Sequence, residues 1–284
     1  MRVDERLAAG EPVVSFEFMP PRSAETELGL WAAIEALAEL EPAFVAVTCR
    51  TGTRDLTLAI VRRLARERGL EAVPHVTATG FTRGEAAELL DAAAAGGADN
   101  VLALRGDAGR GELTALELTA LAAEAGFCVL AAGYPEPHRD SRGARADLEY
   151  IRAKADAGAS VLVTQLFFDN ADYARYVERL RAAGLDLPVV PGIIPITRIA
   201  QIAKLVALSG ATIPPGLRRE LEARQNDPRA VADLGVAFAT AQCAALLQAG
   251  APGVHLYTFN RSPAARAIVS ALRAHGALAA PAGV

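Results

Sequence analysis

The sequence predicts a (β/α)8 barrel of the TIM type with an extra helical insertion before its eighth strand, and three observations predict it. Apolar, β-branched runs alternate with helical patterns eight times, at a period of roughly thirty residues that matches one strand-helix unit. The strand runs are apolar almost throughout, as strands covered on both faces must be. No strand-Gly-x-Gly-x-x-Gly-helix occurs: Gly106, Gly109 and Gly111 have the wrong spacing, which disfavours an open doubly wound sheet. Residues 1–284 read as a single barrel domain.

The first strand is Val13 to Met19, halted by Pro20-Pro21. Ser23 caps a helix to about Leu40, with Leu28, Trp31, Ile34, Leu37 and Leu40 at helical spacing. Phe44 to Cys49 is strand two, and a helix runs from about Thr53 to Arg68. Strand three is Ala72 to Thr77. The capping box Thr82-Arg83-Gly84-Glu85 then opens an Ala-rich helix that ends at Gly96-Gly97. Strand four is Asn100 to Arg105, strand five Cys128 to Gly133, strand six Ser160 to Phe167 and strand seven Val189 to Ile194, each followed by a helical pattern. The helix near Thr197 carries Ile199, Ile202, Leu205 and Val206 on one stripe. Residues 211–249 are the insertion, a short charged helix and a long Ala-rich one. Strand eight is Gly253 to Phe259, and Ser262-Pro263 caps the last helix.

Composition narrows the function classes. A hydrophobic content of 52% supports a large core, and the net charge of -4 without a basic, aromatic-interleaved run excludes a dedicated nucleic-acid surface. Cys49, Cys128 and Cys243 lack metal-like spacing and are odd in number, which fits neither a zinc site nor a disulfide framework and suits a reducing cytoplasm. Neither a membrane span nor a signal peptide is expected. Homo-oligomerisation stays open.

Barrel active sites lie at the C-terminal ends of the strands. Those positions read Glu17, Thr48, His75, Arg105 with Asp107, Tyr134 with Glu136 and His138, Gln165, and Asn260 with Arg261. Glu17 stands out. Alternation sets it on the face opposite Phe16 and Phe18, so if that face is the closed interior, desolvation raises its pKa and makes it a general acid. The competing reading is a solvated or Arg-paired strand-end carboxylate. Schiff-base chemistry is disfavoured because Lys154 and Lys204, the only lysines, fall on predicted helices. His75, His138 and Asp107 come from different strands with no His-x-His, so no metal is expected. Cys49 beside Arg50 is a packed thiol more readily than a nucleophile.

The run Ser15-Phe16-Glu17-Phe18-Met19-Pro20-Pro21-Arg22 resembles the opening strand of methylenetetrahydrofolate reductases. So do Pro74 to Thr77, Ala103 to Asp107, Tyr134 to His138, Thr164 to Asp169, Pro191 to Pro195 and Tyr257 to Arg261, in family order across the chain. The resemblance implies NADH- or NADPH-dependent reduction of 5,10-methylenetetrahydrofolate to 5-methyltetrahydrofolate in one-carbon metabolism. Glu17 matches the acid that assists N10 protonation and ring opening to a 5-iminium cation. Asp107 and Gln165 match pterin-reading positions, and Gln201 and Arg261 match the rest of the folate site. Thr48, His75, Leu104, Arg105, Gly106, Asp107, Ala132, Tyr134, His138, Asp147 and Lys154 match positions that cradle FAD.

Departures concentrate in that cradle. Where the family usually reads Thr-Tyr-Gly, this chain has Thr48-Cys49-Arg50; the loop after Asp107 is short; and Tyr150 replaces a smaller or more polar residue. Two mechanisms follow, one through FAD and one with direct hydride transfer from NAD(P)H, Arg50 and Tyr150 filling flavin space. A catalytically inactive barrel that binds folate or a nucleotide is the alternative outside enzymology.

Overall fold

Alternation along β1 (Val13–Phe18) sorts the molecule into its two cores. Val14, Phe16 and Phe18 pack outward against Leu30, Trp31 and Ile34 of α2 (Ala24–Ala38), whereas Val13 joins Phe44, Val73, Leu102, Leu130, Val161 and Val190 in a separate interior cluster. Glu17 has the parity of Val13 and is therefore directed into the barrel. The computed structural model describes residues 1–49, 52–106, 113–137 and 141–280; Arg50, Asp107 and His138 lie outside the described residues, as does the loop after Asp107.

Strands and helices then alternate: β2 (Phe44–Val47), α3 (Arg54–Arg68), β3 (Ala72–Thr77), α4 (Arg83–Gly96), β4 (Asn100–Leu104), α5 (Ala115–Glu124), β5 (Cys128–Gly133), α6 (Ala144–Asp156), β6 (Ala159–Thr164) and α7 (Asn170–Ala182). All pairings are parallel, and β1 also pairs with the last strand, β9 (Gly253–Tyr257). The expected strand seven is two short segments, β7 (Val189–Val190) on β6 and β8 (Gly192–Ile193) on β9. Pro191 divides them because it has no N–H for the ladder, while its carbonyl accepts from His255 N at 2.9 Å. The nine segments thus go round one barrel, eight strands with the seventh split, and the predicted fold class holds.

Capping chemistry sets several helix starts. Ser23, Thr82 and Thr114 each accept a backbone N–H at the third helical position, and Gly97 ends α4 in the left-handed conformation. Ser262 does not cap the last helix, α11 (Pro263–Ala274): its backbone is already helical, so its hydroxyl is not presented to the first turn, and the start rests on Pro263. The insertion consists of α9 (Pro215–Ala223) and α10 (Pro228–Gln248), after α8 (Ile199–Ser209). By length and composition α10 could cross a membrane, yet it packs on α7, α9, α11 and β9, and Gln242 donates to the Phe167 carbonyl at 3.0 Å.

One element escaped the sequence reading. Helix α1 (Val3–Ala8) closes the N-terminal end of the barrel, burying Val3 and Leu7 in the interior cluster. That burial contributes about 1.5–3 kcal/mol per side chain. Asn100 at the start of β4 holds the plug, accepting from Val3 N at 2.8 Å and donating to Glu71 at 2.6 Å.

Candidate active site

With one end plugged, the barrel opens at the C-terminal ends of its strands, where Glu17 sits with its side chain 18% exposed. Two buried imidazoles face it. His75 Nε2 on β3 lies 3.5 Å from Glu17 Oε2 and His255 Nε2 on β9 lies 3.9 Å from the same oxygen, and neither nitrogen has a hydrogen-bond partner. Burial holds the His75 imidazole below its ordinary pKa, with the Glu17 carboxylate opposing that shift and His255 reinforcing it. His255 is stacked on Phe44 (centroids 5.6 Å apart) and meets the Tyr257 edge, and its Nδ1 lies 2.8 Å from Ser15 Oγ.

The backbone around Glu17 is fastened to the end of β9. Thr258 Oγ donates to the Glu17 carbonyl at 2.6 Å. Asn260 grips Met19 from both sides, its Oδ1 accepting from Met19 N and its Nδ2 donating to Met19 O, each at 2.8 Å. Reaching this geometry takes two consecutive residues into the left-handed region, Phe259 (φ 50) and Asn260 (φ 58). Asn tolerates that conformation, whereas a Phe there costs about 1–3 kcal/mol, and strain of this kind gathers at functional sites.

Tyr257 crosses the barrel beneath the mouth and donates to the Thr164 carbonyl on β6 at 2.8 Å. Burial, and then the Glu17 charge, push its phenol well above the ordinary range. Gly192 makes room for it, since a Cβ there would stand 2.3 Å from Thr164 O and 2.7 Å from the Tyr257 hydroxyl. Beyond Tyr257 and Thr258 opens a cavity of about 510 Å³ whose lining includes Thr197, Arg198, Gln201, Phe259 and Arg261. Gln201 Oε1 is committed to the start of α8, accepting from Thr197 N and Arg198 N at 3.1 Å, so its amide N–H group remains for a ligand.

The remaining sequence-selected residues ring the other half of the mouth. Thr48, just after β2, has a buried Oγ1 that lacks a partner. At the end of β4 the Arg105 carbonyl accepts from Thr79 Oγ1 at 2.6 Å, and Gly106 turns at φ 90 against Thr77 and Thr79. Gln165 Oε1 accepts from Leu166 N at 2.9 Å. Lys154 reaches the Ala132 carbonyl at 3.3 Å and is 4% exposed, with the Tyr150 ring 4.9 Å from its ammonium. Burial brings its pKa down to about 8. Asp147 accepts from Ser141 Oγ at 2.7 Å. Glu136 takes the Thr212 N–H on both carboxylate oxygens at 3.0 Å, a structural bond to the insertion. Tyr134 lies close enough to Tyr257 to influence its ionisation. Cys49 is buried and its thiol is pushed up by desolvation, which makes it a poor nucleophile. Among the described residues no three His, Cys, Asp or Glu side chains could hold a metal ion.

Sequence reasoning missed His255 and Ser15. The histidine has the inward parity of Gly253 and Tyr257, a usable signal, but its partner depended on the β1–β9 register.

The sequence profile described as Methylenetetrahydrofolate reductase matches residues 2–273. The chain belongs to this family. The 5,10-methylenetetrahydrofolate reductase of Salmonella typhimurium is 36% identical over 270 residues, spanning 93% of this chain and 91% of that one. Methylenetetrahydrofolate reductase (NADH) 1 of Arabidopsis thaliana is 33% identical over 88% of this chain and 46% of its own length. The probable methylenetetrahydrofolate reductase (NADPH) of Caenorhabditis elegans is 31% identical over 95% and 44%. As a methylenetetrahydrofolate reductase family member the chain is an oxidoreductase. Among solved structures, an uncharacterized Clostridium thermocellum protein that binds two copies of 5-methyl-5,6,7,8-tetrahydrofolic acid superposes with a TM-score of 0.66 at 14% identity, over 94% of this chain and 96% of that one. That likeness is one of fold.

Proposed function

We propose that residues 1–284 form one catalytic barrel that reduces 5,10-methylenetetrahydrofolate to 5-methyltetrahydrofolate with hydride from NADH or NADPH. The observation that carries this reading is Glu17, a carboxyl at the open end of the barrel, above the apolar interior cluster and faced by two histidines. Its proton passes to N10 of the folate. The C–N10 bond breaks with its electron pair going to N10, and the 5-iminium cation left behind accepts hydride. A carboxylate close to that cation stabilises it. Gln165 and Asp107 read the pterin edge. Gln201 offers its amide N–H to the folate, and Arg261 offers a guanidinium suited to the glutamyl carboxylates.

The described residues do not fit FAD well. Lys154, which a flavin's phosphates would want exposed, is buried against the Tyr150 ring, and one oxygen of Asp147 already accepts from Ser141. These observations favour hydride passing directly from the nicotinamide to the iminium in a ternary complex, with no step through a flavin. Two experiments test the reading. Glu17→Gln is expected to lower turnover by about 10²-fold or more while folate binding persists; unchanged turnover overturns the role of Glu17. Purified protein is expected to show no flavin band, activity unaffected by added FAD, and intersecting initial-rate lines in which both substrates must be bound together. Parallel lines with bound flavin would restore the FAD route.

A further inference from the structure

The geometry points to a buried Ser15–His255 dyad that holds a fixed Nε2–H toward Glu17, making His255 a positioning residue for proton delivery. This rests on the proposed role of Glu17. Ser15 is fully buried and has one hydroxyl proton to give. Two acceptors are within reach, His255 Nδ1 at 2.8 Å and the Val254 carbonyl at 3.5 Å. The shorter contact is a full-strength hydrogen bond and the longer one is at the limit of the interaction. With the hydroxyl donating to Nδ1, the ring N–H stands at Nε2, the nitrogen that faces Glu17 Oε2 at 3.9 Å.

The rest of the ring's environment restricts it to that orientation. It is 1% exposed, lies against the Phe44 face and meets Tyr257 edge-on, while β1 and β9 pair Ser15 directly with His255. The groups that face Glu17 include His75 from β3 and His255 and Tyr257 from β9, with Tyr134 beyond Tyr257. When the Glu17 O–H bond breaks and N10–H forms, the carboxylate oxygen gains charge. Movement of the Glu17 side chain toward the fixed Nε2–H by about 0.7 Å or more then turns an ion-dipole contact into a hydrogen bond, favouring the transfer. No proton leaves His255; Glu17 regains its own from solvent after product departs.

The chain has four histidines, so long-range proton–nitrogen spectra of 15N-labelled protein resolve few imidazoles, and His255→Gln identifies the His255 signals by subtraction. The expected wild-type result is an Nε2–H tautomer, and Ser15→Ala is expected to release it into a mixture. In steady state, His255→Phe keeps the stacked ring but is expected to lower kcat by about tenfold with little change in the folate KM, and to move the alkaline limb of the kcat profile to higher pH, since Glu17 loses a donor that favours its ionised form. His255→Gln, which retains an amide N–H near the Nε2 position, is expected to recover most of that loss. An Nδ1–H tautomer in the wild type overturns the proposal. So does a His255→Phe defect that leaves the pH limb unmoved and is not rescued by Gln, which is the mark of packing alone. If Glu17→Gln is fully active the functional reading falls as well; if it is inactive while the His255 results are negative, only the dyad falls.

Discussion

Replacing Asn260 tests whether the end of β9 holds Glu17 in place. Asn260→Ala deletes two hydrogen bonds to Met19, each at 2.8 Å, and leaves a partly buried N–H and C=O to find other partners. At about 0.5–1.5 kcal/mol per bond the loss is about 1–3 kcal/mol. The backbone adds a second cost: φ is 58 at this position, and Ala lacks the short polar side chain that eases Asn into the left-handed region, which adds about 1 kcal/mol. The expected destabilisation is therefore about 2–4 kcal/mol. Asn260→Gly loses the same bonds without the backbone cost and should be the milder variant by about 1 kcal/mol. Urea unfolding followed by circular dichroism reads both, and the kcat of each variant reports the drift of Glu17, two residues from Met19. An Ala variant within 0.5 kcal/mol of wild type would refute the clamp. Equal stability for Ala and Gly would refute the strain.

Three further outcomes are expected. Lys154 has its pKa brought down to about 8 by burial, so its charge opposes folding below that pH and the opposition fades as pH rises toward 10.5; Lys154→Met should stabilise the protein at pH 7 by up to about 3 kcal/mol and flatten its stability between pH 8 and 10.5, measured as unfolding midpoints across that range. Gly192→Ala should cost about 3 kcal/mol or more, seen as loss of soluble protein or a lowered urea midpoint, and adding Tyr257→Phe should not rescue it because the 2.3 Å clash is with the Thr164 carbonyl. Thr114→Ala, which removes the cap that accepts Glu117 N at 3.1 Å, should cost about 1 kcal/mol in the same assay.

The barrel is legible in the sequence because local signals agree with the fold: strands three and five span the residues their apolar runs mark out, and the Thr82 box and the Gly97 stop have the geometry their residues dictate. The misses are non-local. α1 has six residues of which only Val3 and Leu7 are buried, too little periodicity to register, and its role depends on a barrel end that closes far along the chain. Strand seven reads as continuous because Pro191 sits in an apolar run; only neighbours on both sides reveal the break. At the site, the inward direction of Glu17 follows from alternation along its strand, whereas the approach of His75 to Glu17 depends on strand order across β2. Ser15 and His255 are 240 residues apart and meet only through register.

The split seventh strand has a dynamic consequence. Around most of the barrel neighbouring strands share three to five paired positions, but β7 and β8 contribute two each, and the proline between them offers no amide. In native-state hydrogen exchange this stave should lose protection before the wall that bears Glu17. The staves on either side, β6 and β9, are the two that Tyr257 ties together through Thr164. The Tyr257 cross-tie therefore spans the most loosely laced stave, a single side-chain bond bracing the barrel where its backbone ladder is thinnest.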